Sequence, residues 1–234
     1  MPIAIVNPSL QFGPMTPLDK SAVRYLVVHT EGAPGNADGS ATSIHNYHRM
    51  PKPKGRGWSG IGYHFVIRKS GTVERGRPLD RQGAHVDGVN KLSVGICCSG
   101  NGDLADFTGA QKQSLRDLIR DLRVEFPNTS VEGHRKLVDK LIASGKLAQK
   151  YATGKTCPGT KVSLAELQQL VGVELPVPQP GTRRWSGYFK DWIILQRYVS
   201  DTEWYFVHSK NLNMEPVRAH ARWSQVPVAP PSPL

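Results

Sequence analysis

Short, wholly apolar runs alternate with amphipathic stretches through the first two thirds of the chain. Arg24–His29 (RYLVVH) is apolar and β-branched almost throughout, the pattern of a buried central strand. The EGAPGNADG that follows is a loop, so the strand delivers His29 to a sheet edge facing a cleft. Ser40–Met50 (SATSIHNYHRM) reads as a helix. GYHFVIRKSGTVERGRP reads as a hairpin turning at Lys69-Ser70-Gly71, with Tyr63 and His64 on opposite faces if the strand alternates. LSVGICCSG is a second buried strand, in which Cys97 and Cys98 are expected to be inert packing residues. From Thr108 to Phe126, Leu115, Leu118, Ile119 and Leu122 recur at helical spacing behind a capping box of Thr108 and Gln111. Ser163 and Glu166 make a second box before LAELQQLV. Strands alternating with helices predict an α/β domain with helices packed on a central sheet.

The pattern changes at VELPVPQPGTRR (residues 173–184), where three prolines and a glycine mark a linker. Residues 1–172 form the large domain before it. Residues 185–226 form a small β-rich extension, dense in aromatic and β-branched residues, whose break at SDTE predicts an antiparallel hairpin. Its Trp185, Trp192, Trp204 and Trp223 serve either as the core of a very small domain or as a carbohydrate- or peptide-binding face. About 40 residues rarely fold alone without disulfide or metal, so docking on the larger domain, dimerisation or a role as a binding surface is expected of this region. The tail, residues 227–234, is Pro-rich and reads as extended or disordered.

Composition bounds the partners. The 234 residues are 38% hydrophobic and 21% charged, as in soluble globular proteins. Thirty Lys and Arg oppose 19 Asp and Glu, a formal charge of +11. The excess sits in the first 172 residues, with 23 basic against 14 acidic, which suits a polyanion: nucleic acid, an anionic membrane face or an acidic wall polymer. No RNP, helix-turn-helix or finger pattern supports nucleic acid. No run approaches the roughly 18 apolar residues of a membrane span, and the Pro-interrupted N-terminus lacks a signal-peptide pattern, so cytoplasmic synthesis without self-export or membrane insertion is expected. Three cysteines, two of them adjacent, argue against a disulfide framework.

Of eight histidines, His29 and His134 stand out because each ends a predicted strand (LVVH, SVEGH) and opens a polar loop. With Cys157 in the KTCPG turn they offer three N/S ligands, a set that leaves a fourth tetrahedral position for water. The spacings match no finger or HExxH rule, and Cys157 read alone is also consistent with a small buried hydrophobe. His45 and His48, one helical turn apart, lack a third ligand nearby. Glu31, two residues beyond His29, is either a proton-transfer group or a loop carboxylate.

The run GWSGIGYHFVIRKSGTVERGRP, then GAHVDGVNKLSVGICCSGN, FTGAQKQSLRDLIRDL, EGHRK and KTCPG, resembles the type-2 zinc amidases of peptidoglycan over residues 22–170. It is most similar to the small lysozymes of short-tailed bacteriophages, with peptidoglycan recognition proteins and cytoplasmic recycling amidases as more distant likenesses. The resemblance implies a central mixed β-sheet flanked by helices, and hydrolysis of the amide between N-acetylmuramic acid and L-alanine. It implies Zn2+ held by His29, His134 and Cys157, with Tyr63 and Lys155 as catalytic groups. His85 would line the substrate groove or support a ligand, and Asn90 and Ser93 would contact the stem peptide. Thr30 stands where many members carry a second His or a Cys. The resemblance further implies an endolysin made in the host cytoplasm that reaches the wall at lysis. Its alternatives are a muropeptide-recycling amidase, or an amidase that also binds a phage RNA polymerase.

Overall fold

The computed structural model describes residues 3–127, 129–152 and 154–163, together with strands between 183 and 218. The apolar runs become strands: Ile5–Val6 (β1), Tyr25–Thr30 (β2), Phe65–Ile67 (β3), Val73–Arg75 (β4), Ser93–Cys98 (β5) and Ser130–Gly133 (β6). They form one sheet in the order β1-β4-β3-β5-β2-β6. β2 runs parallel to both β5 and β6, β3 is parallel to β5 and antiparallel to β4, and β1 is parallel to β4, so the sheet is mixed. Parallel strands covered on both faces require continuous apolar sequence. The YLVV of β2 and the wholly buried SVGICC of β5 meet that requirement.

Among the described residues, three α-helices cover the sheet: Ala41–Arg49 (α1), Gly109–Glu125 (α2) and His134–Ala143 (α3). Strand alternation divides the residues between the faces. Leu26 and Val28 of β2, opposite Val94 and Ile96 of β5, join Phe65, Ile67 and Val131 beneath Leu115, Leu118, Ile119 and Leu122 of α2. On the other face, Ala41 and Ile44 of α1 cover Ile61, Val66 and Cys97, while Leu137, Val138 and Leu141 of α3 cover Val27, Val86 and Val89. His29 comes up between these two smaller clusters.

Capping sets where α1 and α2 begin. Thr108 and Gln111 form the expected capping box, and the buried Gln111 amide also donates to the carbonyls of Ile67 (3.1 Å) and Ser99 (2.9 Å), tying α2 to the strand ends. Ser40 and Ser43 form a second box at α1. The hairpin turns where expected, closed by Gly71 N–H donating to Arg68 O (2.8 Å), with Gly71 at φ 89°.

Two features differ from the sequence reading. The strand before His134 stops at Gly133, and His134 opens α3 instead of a polar loop. The spacing of Leu137, Val138 and Leu141 is helical, and these side chains pack on β2 to bury it. The N-terminal segment adds an unforeseen strand. β1 covers the exposed edge of β4, where unpaired backbone groups would otherwise invite association. The helix expected behind Ser163 and Glu166, the linker as far as residue 182 and the tail lie outside the described residues.

The chain divides into two compact units, Pro2–Gly172 and Val173–Leu234. Arg183–Ser186 (β7), Asp191–Ser200 (β8), Glu203–His208 (β9) and Val217–Arg218 (β10) form an antiparallel sheet in the order β10-β9-β8-β7. β8 and β9 make the hairpin expected at SDTE, with register irregularities at Leu195/Arg197 and Tyr198/Ser200. The side chains of Trp185, Trp192 and Trp204, and the whole of Trp223, lie outside what the structure describes.

Candidate active site

His29 and His134 arrive by different routes at the carboxyl ends of adjacent parallel strands, where ligand sites of open α/β sheets gather. His29 is the penultimate residue of β2 and is buried. His134 follows β6 as the first residue of α3, its ring centroid 4.9 Å from that of His29. Cys157 comes from a turn 23 residues further on and places Sγ 3.6 Å from His29 Nδ1. One ligand atom from each of the three lies within 4.8 Å of the others. This is the one such group of three among the described residues.

The Cys157 turn is held by contacts distant in sequence. Arg135 N–H, at the start of α3, donates to Cys157 O at 3.0 Å. Asp103 accepts from Thr156 Oγ1 at 2.5 Å and from Thr160 N–H at 2.8 Å. Gly102 O accepts from Lys161 N–H, and Gly102 meets Gly159 so closely that a Cβ on either would strike the opposing backbone. Thr30 Oγ1 donates to Gly100 O (2.9 Å) and accepts from Gly102 N–H (3.2 Å), so it secures the loop that grips the turn.

The electrostatics favour neutral donors. Burial, then the neighbouring His85 and His134, hold His29 well below the ordinary imidazole range. Burial and then Lys155 lower His134 to about 4. Both imidazoles therefore keep a lone pair at neutral pH. Burial pushes the Cys157 thiol up to about 11, against the Thr30 backbone N–H and Lys155. Without a cation it stays a thiol, whereas a coordinated metal would deprotonate it. Two neutral imidazoles and a latent thiolate form a donor set that fits zinc, and its N/S character disfavours the hard oxygen-seeking cations.

Tyr63 is half-buried, its ring centroid 5.1 Å from His29 and 5.8 Å from His48. Burial, reinforced by Cys97 and Cys157, raises its phenol well above 10, so it is an O–H donor at neutral pH. Lys155 is exposed, and its charge is felt by both His134 and Cys157. Glu31 accepts from Gly39 N–H at 3.1 Å, and burial raises its pKa. Its charge acts on Tyr63 and Cys97, but it is not among the converging ligand atoms.

His85 is buried, with Nδ1 3.0 Å from His29 Nε2. Asn90 Oδ1 accepts from the backbone N–H groups of His85 (2.9 Å) and Val86 (3.0 Å). Ser93 is fully buried and donates to Val89 O. These two side chains therefore build the loop that carries His85. His64 accepts from Gly95 N–H through Nδ1, and its Nε2 pairs with Arg81 O, a supporting role. His45 and His48 accept from the N–H groups of Ile61 and Gly62. Cys97 and Cys98 are buried with raised pKa values, as an inert pair should be. Sequence reasoning passed over Asp103. It lies 53 residues from Thr156, and no local pattern links the two.

A mixed sheet carrying His29 and His134 at its strand ends, with Cys157 brought to them by a turn and a phenol donor and an ammonium close by, defines a protein able to hold a metal ion beside groups suited to acyl hydrolysis. The model of the N-acetylmuramoyl-L-alanine amidase family matches residues 19–160, and the chain belongs to that family. It is an enzyme, an amidase of that class. An endolysin of Klebsiella phage KP32 is 37% identical over 124 residues, 51% of this chain and 79% of the relative. An endolysin of Enterobacteria phage K11 is 35% identical over 133 residues, 55% and 85% respectively. Among solved structures, the N-acetylmuramoyl-L-alanine amidase LysC from Clostridium intestinale superposes with a TM-score of 0.57 at 31% identity, covering 74% of this chain and 99% of that one. The structural likeness and the observed sheet agree with the expected fold.

Proposed function

We propose that the protein is a zinc-dependent peptidoglycan hydrolase that cuts the amide between N-acetylmuramic acid and L-alanine, and that it serves as an endolysin in host-cell lysis. The convergence of His29, His134 and Cys157 within 4.8 Å carries this reading. The endolysin relatives support the lytic role. Among the described residues no helix is long and apolar enough to cross a membrane. The enzyme, made in the host cytoplasm, would meet the wall once the membrane is breached, and the basic charge of residues 1–172 suits an anionic polymer.

Zinc, when bound, supplies Lewis acidity that brings water's pKa toward neutrality and polarises the amide carbonyl. The chain supplies the rest. His29 and His134 donate neutral nitrogens, and Cys157 gives up its proton on binding. Tyr63, kept protonated by burial, donates to the carbonyl oxygen or to the departing nitrogen. The Lys155 ammonium offsets negative charge developing on that oxygen. The products are a free lactyl carboxylate on the sugar and a free amine on L-alanine.

Mass spectrometry of digested peptidoglycan tests the bond assignment. Those two new ends are expected, and new reducing sugar ends or cleaved peptide cross-links would contradict it. Preference for soluble anhydro-muropeptides over intact wall would instead indicate a recycling amidase.

A further inference from the structure

We propose that His85 is a positioning residue that sets which nitrogen of His29 faces the metal. This rests on the reading of His29 as a metal ligand and goes beyond it. A neutral imidazole carries one N–H, and only the Nε2–H form of His29 leaves a lone pair on Nδ1, the nitrogen that faces Cys157 Sγ. Both forms are open to a free imidazole, so something must choose between them. Ligand histidines are usually fixed by a carboxylate or a carbonyl accepting the second N–H. Here the group at that nitrogen is another imidazole, His85 Nδ1, at 3.0 Å in a buried setting.

For the pair to act this way, His85 must accept at Nδ1 and carry its own proton on Nε2. That atom is buried without a hydrogen-bond partner, so this form leaves an N–H unpaired, a cost that the pairing with His29 and the confinement of the ring must offset. The ring is also confined. A Cβ on Gly95 would lie 2.6 Å from His85 Cγ, and a Cβ on Gly83 would strike Cδ2. Gly95 lies inside β5, opposite Val27, where glycine ordinarily weakens a strand. Close approach of the His85 ring accounts for it. Asn90 fixes the backbone of His85, and His64 stands against its ring at 5.7 Å.

The test measures zinc affinity of the full-length protein by competition with a chromophoric chelator, for wild type, His85→Leu and His85→Gln. His85→Leu, which removes the acceptor, is expected to weaken binding by about 10- to 100-fold. His85→Gln, which keeps a carbonyl acceptor, is expected to recover most of the loss. Wild-type affinity in folded His85→Leu would overturn the proposal, as would His85→Gln binding no better than His85→Leu. Should His85→Leu fail to fold, 15N NMR of the ring nitrogens in the wild-type, metal-free protein decides. A His29 proton on Nε2 is expected, and one on Nδ1 would overturn the proposal. A wild type that binds no zinc would remove the zinc reading, while the NMR measurement would still decide the role of His85.

Discussion

Leu26 and Val28 face α2, while Val27 and His29, one residue along the same strand, face the gap between α1 and α3. On the α2 side a single apolar cluster runs from Leu18 to Val162. On the other side the apolar residues form two separate groups, and His29, His64 and His85 lie buried in the polar ground near them. Burying neutral imidazoles costs free energy unless each is hydrogen-bonded. His45, His48 and His64 meet that demand by accepting backbone N–H groups, and His29 by pairing with His85. The contrast shows a division of labour within one sheet: one face packs an apolar core, while the opposite face holds desolvated imidazoles through hydrogen bonds.

Removing a ligand should separate the faces most clearly. Cys157→Ser or His134→Ala is expected to abolish stoichiometric zinc binding and wall clearing, measured by metal analysis and turbidity loss, as is chelation of the wild type. Lytic activity surviving both substitutions would sink the assignment. Tyr63→Phe and Lys155→Ala should each retain zinc yet slow hydrolysis by about 10²- to 10³-fold, the usual effect of losing one oxyanion donor. If either variant runs at the wild-type rate, that group is not part of the chemistry.

On the dry face, Leu118→Ala is expected to lower stability by about 2–5 kcal/mol in urea unfolding, through lost burial and the cavity left behind. Zinc affinity of the folded protein should stay unchanged. A large change in affinity would show that the faces are coupled.

Acid sharpens the contrast further. Burial is the main cause lowering both His48 and His64 to about 4, so between pH 6.5 and 4 the unfolded chain binds more protons than the folded one. Their contribution is therefore full above about pH 6.5 and falls as the pH drops toward 4. His48→Gln keeps an acceptor for Gly62 N–H without titrating, so it should lose less stability over that range than wild type. An identical pH slope would remove His48 from the account. Thr108→Ala, which removes the α2 cap, should cost only about 1 kcal/mol and leave hydrolysis unchanged.

Much of the frame was legible along the chain. The apolar runs of β2 and β5, the hairpin at Gly71, the α2 box of Thr108 and Gln111 and the SDTE break each depend on neighbours a few residues apart. α3 was equally legible in its Leu137, Val138 and Leu141 spacing, but the strand-like SVEG and a histidine at the junction drew the reading toward a loop. The ligand set was different. Spacing left Cys157 open to a packing role, and only the resemblance of the ordered motifs joined it to His29 and His134.

Sequence alone determined β2, β5, the β3–β4 hairpin, α1 and α2, the basic balance of the large unit and the residue types able to bind zinc, because backbone periodicity, capping and charge are local properties. Tertiary structure decided that Asn90 and Ser93 build the loop carrying His85, that Asp103 grips the Cys157 turn and that His29 meets His85. It also decided that Gly83 and Gly95 leave room for that ring. Each of these rests on atoms brought together from separate segments, whose distances follow from strand register and packing and leave no periodic trace along the chain.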